Sequence, residues 1–264
     1  MTSRPPFMRR AVRKVATVLH AWSENRDDAR MSRNGEDWLI GALIDDWARD
    51  DRTRTRVVID AGANRGGFTA AVLTAADAAR VPVQVHAFEP GPEAASALAA
   101  RFADEPRVSI VRAAVAEVEG SAPLFDAAGA NECASLIKRD PRAARTPTIV
   151  AVTTLAAYLD RVGVSRVDFL KLDIEGAELE ALRGLGKRLE PMSVAAILFE
   201  YGGTTLDAGH RLRDFFDLLA ARHYRVAKLF PGWIEVRTYE PWYDNFYYSN
   251  WVAVGDEASG QNNG

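Results

Sequence analysis

The chain has 264 residues, 48% hydrophobic and 26% charged, a size and balance for one globular domain with accessories. That balance excludes a disordered or collagen-like chain, and no apolar run approaches the roughly 20 residues that span a bilayer. A net charge of −3 speaks against a nucleic-acid binder, whose surface carries a basic surplus. The single Cys133 cannot close an internal disulfide, and His20, His86, His210 and His223 lie too far apart for a zinc site of the usual spacing. These features read as a soluble cytoplasmic enzyme.

At the start of the chain, Arg4, Arg9, Arg10, Arg13 and Lys14 stand without an acid. At helical spacing Met8, Val12, Val15, Leu19 and Trp22 share one face, with basic residues opposite. Such a helix either lies on the domain, the reading favoured by its shortness, or makes peripheral contact with a membrane surface. It lacks the apolar stretch and cleavage site of a secretory signal.

Beyond a charged stretch at 49–54, strand and helix patterns alternate, which predicts a parallel sheet with helices on both faces. Residues 56–61 (RVVIDA) form a continuous apolar run suited to a strand buried on both sides, followed by helix 67–79 and strand 83–88. Helix 93–102 and strand 107–112 come next. The pattern then weakens: 122–125, 134–138 and 148–152 read either as hairpin strands or as loop. Helix 155–161, strand 167–172, helix 177–189, strand 194–200 and helix 209–222 restore the alternation. No helix fits between the last two strands, 224–230 and 246–254, so they should pair antiparallel. The count is seven strands in one domain. The boundaries are a basic helical extension at 1–34, the catalytic domain at 35–255 and a disordered polar tail at 256–264.

The most informative stretch is VVIDAGANRGG, residues 57–67. Gly62 turns the chain sharply after the strand, and the following helix start offers free backbone N–H groups. Asp60 at the end of the first strand would repel a pyrophosphate but suits an amino group. Glu89, at the end of the second strand, is placed to accept hydrogen bonds from both hydroxyls of a ribose. A ligand with a ribose, an amino-acid head and no phosphate is S-adenosylmethionine.

With these blocks, the chain resembles the FkbM-type methyltransferases, S-adenosylmethionine-dependent enzymes of Rossmann-like fold. The resemblance rests on VVIDAGANRGGFT, VHAFEPGPEA, VRAAVAEVEG and above all VDFLKLDIEGAELEALRG at 167–184, with TTLAAYLD leading into the last. It covers roughly residues 36–255. Cys133-Ala134 departs from the glycine- or serine-rich loop expected there, which bears on the substrate. The resemblance implies an α/β class I methyltransferase fold: a seven-stranded, mostly parallel sheet with a C-terminal antiparallel hairpin and helices on both faces. It implies that Asp60, Gly62 and Asn64 hold the methionine end of the cofactor, Glu89 the ribose, and that Ala114 lies near the adenine. The acceptor it implies is a hydroxyl on a sugar (a glycoside), a polyketide or another secondary metabolite, with no nucleic-acid partner.

Asp168, Asp173, Glu175, Glu178 and Glu180 crowd the fourth strand and the helix after it. Positive charge at the sulfonium fades along the reaction, so a carboxylate beside it aids binding more than rate. An acid serves the chemistry when it faces the acceptor and takes its proton. Asp173, at the strand end and beside the cofactor, is the candidate base, and Glu175 its helper. Both also suit the cap and first turn of the following helix. A divalent metal on Asp173, Glu175 and Glu200 is not favoured, and no metal ligand is assigned. Tyr239, Trp242 and Tyr243 form either an acceptor wall or a ring staple for the last hairpin. His210 and His223 are expected on helix surfaces, with no acid spaced to orient either. N- or C-methylation of a natural product, or an NAD(P)-dependent oxidoreductase on a similar fold, are the alternative functions; the missing G-x-G-x-x-G counts against the last.

Overall fold

The computed structural model describes residues 7–127, 130–138 and 147–256. The expected disordered tail therefore lies outside the described residues, apart from Asp256. Helices α1 (Phe7–Ser23), α2 (Met31–Asn34) and α3 (Glu36–Asp50) precede the sheet. The sequence reading missed α3, although Leu39, Ile40, Ile44 and Trp47 bury one side of it. Then β1 (Arg56–Ala61), α4 (Gly67–Ala79), β2 (Val83–Phe88), α5 (Pro92–Arg101) and β3 (Val108–Val111) alternate as expected.

The weak middle stretch is strand after all: β4 (Ala114–Val115), β5 (Gly120–Ala127), β6 (Ala130–Ser135) and β7 (Thr148–Thr153) form a separate small sheet in the order β4-β7-β5-β6. Helix α6 (Leu155–Val162) starts where the Thr154 hydroxyl accepts the Ala157 N–H at 3.1 Å, one of the donors left open at any helix start. Next come β8 (Phe169–Leu172), α7 (Glu178–Arg183), β9 (Ala196–Tyr201), α8 (Gly203–Asp207), α9 (Leu212–Ala220), β10 (Tyr224–Phe230), β11 (Trp233–Val236) and β12 (Ser249–Gly255).

The main sheet runs β11-β10-β12-β9-β8-β1-β2-β3. From β9 to β3 all pairs are parallel, whereas β12 is antiparallel to both β9 and β10. The fold is α/β of the Rossmann-like class, and the expected antiparallel pairing of the last long strands holds. The strand count does not. An eighth strand, β11, hangs on β10 through Pro231-Gly232, with Gly232 at φ +106°. Proline followed by a glycine of positive φ is the signature of a type II turn. Helix 177–189 is also shorter than expected, ending at Arg183 with a 3₁₀ turn at Gly186–Arg188.

Alternate residues of the central strands feed two cores. Ile59, Leu170, Phe199 and Trp251 pack on one face under α6, α7 and α9. Val58, Phe169, Leu198 and Val252 pack on the other under α3 and α4. Burial on both faces is why these strands read as unbroken apolar runs. No helix among the described residues is long and apolar enough to cross a membrane.

Candidate active site

A cleft opens at the carboxyl ends of β1, β2 and β8. Gly62, Asn64, Glu89, Ala114, Asp173 and Glu175 all line it, so six of the seven expected residues meet there. Sharp turns bring them together. The Gly62 and Ala63 N–H groups donate to the Phe88 carbonyl at 3.0 and 2.9 Å, tying the loop after β1 to the end of β2. A side chain at Gly62 would place its Cβ 1.8 Å from the Asp173 carbonyl oxygen, so only glycine admits this approach of β1 to β8.

Glu89 is buried, and each of its oxygens accepts one backbone N–H: Oε1 from Gly91 at 2.7 Å, Oε2 from Asn64 at 2.8 Å. An ionised carboxylate has about four acceptor positions, which leaves one on each oxygen for a pair of vicinal hydroxyls. Asn64 Oδ1 is buried and has no partner, an acceptor open to an ammonium group. Phe88, Ala113, Ala114, Val115 and Leu124 supply an apolar wall with little bulk, suited to a flat heterocycle. Ala134 and Leu136 cover the cleft from the small sheet, held down where the Ser135 hydroxyl donates to the Glu175 carbonyl at 2.7 Å. A ribose acceptor, an ammonium acceptor and an apolar slot together fit S-adenosylmethionine.

Asp60 does not reach the cleft. Strand alternation turns it onto the face of Val58, under α4, where it is fully buried and accepts the Thr69 hydroxyl at 2.7 Å. Its second oxygen, Oδ1, lies 3.9 Å from Lys171 Nζ. Asp60 is therefore not among the residues that line the cleft, where it was expected, and lies beside Lys171.

Lys171 is the residue that sequence reasoning missed. It is buried on β8, and its ammonium bonds Asp173 Oδ2 at 2.8 Å. The signal was present: a lysine inside FLKL, a run otherwise apolar because both of its faces are covered. Burial opposes the charge on Lys171, but Asp173, Asp60 and Glu36 around it outweigh burial and hold it cationic. Burial likewise pushes the Asp173 carboxyl up, and Lys171 with a hydrogen bond from Glu200 outweighs it, so Asp173 stays ionised below the usual carboxylate range. Glu200, at the end of β9, is pushed well up by burial and by the charge of Asp173. The two carboxyls thus shift in opposite directions, Asp173 down beside Lys171 and Glu200 up beside Asp173. Among the described residues no group of three or more His, Cys, Asp or Glu side chains is placed to hold a metal ion.

The remaining acids have other duties. Asp168 sits at the opposite end of β8, where Arg54 and the Val57 N–H (2.9 Å) hold it. Glu178 closes the turn before α7, accepting the Ile174 and Gly176 N–H groups at 3.0 and 3.0 Å. Glu180 contacts His210, so His210 does have an acid partner, thirty positions away and invisible to spacing; it does not line the cleft. Tyr239 packs edge-on against Phe216 and Tyr243 against Trp251, while Trp242 is exposed. The aromatic loop is a ring staple and not a wall of this cleft.

Burial pushes the Glu178 carboxyl up to about 7, against the backbone N–H groups that pull it down. The folded state therefore holds its proton more tightly than the unfolded chain. The stability this gives is complete below about pH 4.5 and is lost as pH rises through about 7. A shift of this size corresponds to about 3 kcal/mol. Urea unfolding of the protein and of Glu178→Gln at about pH 5 and about pH 8 checks it: the variant should lose most of the difference between the two conditions.

The family model for the methyltransferase FkbM domain matches residues 60–226. The chain belongs to the FkbM methyltransferase family. No curated protein matches it. Among solved structures, methyltransferase FkbM from Methylobacillus flagellatus KT is 16% identical, with 76% of this chain and 43% of that one covered and a TM-score of 0.48. An rRNA methylase from Streptococcus thermophilus is 11% identical over 83% and 95% of the two chains, TM-score 0.43. The precorrin-6y C5,15-methyltransferase from Geobacter metallireducens GS-15 is 13% identical over 83% and 88%, TM-score 0.40. The chain thus spans less than half the length of the Methylobacillus protein. The matched region begins at Asp60 and takes in every residue that lines the cleft.

Proposed function

We propose that this FkbM-family protein is an S-adenosylmethionine-dependent O-methyltransferase acting on a hydroxyl of a sugar, polyketide or other secondary metabolite. The observation that carries the reading is Asp173 on the cleft wall, with the Lys171 ammonium behind it at 2.8 Å. When bound, S-adenosylmethionine supplies a methyl group made electrophilic by its sulfonium. Glu89 would hold the ribose hydroxyls, Asn64 Oδ1 would accept from the ammonium, and the alanine-lined wall would take the adenine. Asp173 would take the acceptor's hydroxyl proton as the methyl group passes from sulfur to oxygen. That transfer leaves a neutral ether and a neutral thioether, and the proton rests on the Asp173–Glu200 pair. The acceptor class rests on the family resemblance, and Asp173 as the base is supported by its place on the cleft beside Lys171.

Calorimetric titration tests the cofactor. S-adenosylmethionine should bind and NADP⁺ should not, and Glu89→Ala should weaken S-adenosylmethionine by about 1–3 kcal/mol through loss of charge-assisted bonds. Equal affinity in the variant would remove the ribose site, and binding of NADP⁺ alone would return the oxidoreductase reading.

A further inference from the structure

We propose that α1 docks the protein, lying flat, on an anionic membrane surface. The expectation that this helix is laid on the domain fails: every residue from 11 to 20 is exposed. Val12, Val15, Val18, Leu19 and Trp22 are 64, 58, 60, 58 and 82% exposed. At 100° per residue these five share one side of the helix. Arg9, Arg13 and His20 lie on the far side and Lys14 on its flank, and no acid occurs before Glu24. A chain that is acidic as a whole therefore carries a long helix with cations and no acid, and that helix presents five exposed apolar side chains along one side, among them Trp22 at 82%.

This combination selects the occupant. A groove on another protein would cover the apolar side and has no need of an acid-free reverse. A nucleic acid would take the cations and leave Trp22 in water. An anionic bilayer satisfies both at once: the apolar side enters the headgroup boundary while the arginines and the lysine meet lipid phosphates. Seventeen residues are about 25 Å of helix, enough to lie in the interface.

The root of the helix is firmly held. Asn25 Nδ2 donates to the carbonyls of Leu229 and Asn34 at 3.0 and 2.9 Å, and the Asp27 N–H donates to the Tyr248 carbonyl at 3.0 Å. Glu24 pairs with Arg237 at 2.7 Å and Lys228 at 3.4 Å. Tyr248 leads into Ser249, which pairs with Tyr201 at the carboxyl end of β9. The helix is therefore rooted at the carboxyl edge of the sheet, the edge on which the cleft opens.

Co-sedimentation of the full chain with vesicles tests this without using turnover. Vesicles of phosphatidylcholine with roughly a third phosphatidylserine should bind it at least about tenfold better than phosphatidylcholine alone, and high salt should reduce the difference. V15E/L19E and R13E/K14E should each lose about tenfold or more while keeping the wild-type melting temperature, because all four side chains are exposed. Tryptophan fluorescence should be quenched by brominated lipid in the parent chain and much less in Trp22→Phe. Failure to bind anionic vesicles overturns the proposal. So does a lipid-free dimer abolished by V15E/L19E in a protein that ignores vesicles, or capture by RNA that V15E/L19E leaves unchanged.

Discussion

Gly62→Ala is expected to unfold the carboxyl edge of the sheet and abolish cofactor binding. Two costs combine. Alanine at φ +85° is held in the left-handed region at a cost of about 1–2 kcal/mol. Its Cβ would also sit 1.8 Å from the Asp173 carbonyl oxygen and 2.8 Å from that carbonyl carbon, and backbone cannot swing aside as a flexible side chain can. Relief requires β1 and β8 to part where the Asp173 N–H donates to the Ala61 carbonyl at 3.0 Å. That movement drags Asp173 from Lys171 and leaves a buried cation with only the more distant Asp60 and Glu36. The total should exceed about 3 kcal/mol, a fall in Tm of roughly 10 °C for a chain of this length. Gly41→Ala in α3 is the control. A Cβ there meets nothing within 4 Å, and alanine is the better helix former by about 1 kcal/mol, so its Tm should hold or rise. A Gly62→Ala protein that melts with the parent would show that the two loops do not approach as described.

The parts of this site that were legible in the sequence are those whose signals are local. An apolar run ended by an acid and then a glycine marks both a strand end and a turn, and β1 and β2 have the bounds their sequences predict. Glu89, Asn64 and Gly62 meet because consecutive parallel strands end side by side, so a reading of each strand end alone sufficed. Asp60 shows where such reading stops. It lies inside β1 and not beyond it, and strand alternation sends it under α4, a direction that the acid's position in the motif does not disclose. The acceptor side was harder still. Glu36, Lys171, Asp173 and Glu200 come from α3, β8 with the residue after it, and β9, and the last three are neighbours because β8 pairs with β9. Periodicity identifies a strand but not its neighbours, so no spacing could pair Asp173 with Glu200 or Glu180 with His210. The small sheet was obscured for a different reason: β5 and β7 expose much of their length, so neither offers the apolar run that marked the central strands.

Asp173→Asn is expected to lower turnover on an alcohol by about 10²–10⁴-fold, the usual contribution of a positioned base, while S-adenosylmethionine affinity stays within about threefold. The amide keeps the shape of the side chain but cannot take the hydroxyl proton. Structure and chemistry are separable here. Asparagine leaves the buried Lys171 ammonium without its 2.8 Å partner, and removing one member of a buried pair costs about 3–5 kcal/mol. The single variant should therefore melt early, and Asp173→Asn combined with Lys171→Met should recover stability without recovering turnover. The acceptor supplies the decisive comparison. A phenol acidic enough to be ionised in solution needs no base, so the loss should shrink steeply as acceptor pKa falls. A purely structural role for Asp173 predicts the same loss on every acceptor. Glu200→Gln completes the argument: the neutral amide donates to Asp173 as the protonated acid does, and turnover should remain within about tenfold of the parent. A larger loss there would place the working proton on Glu200 itself and move the base one residue deeper into the wall.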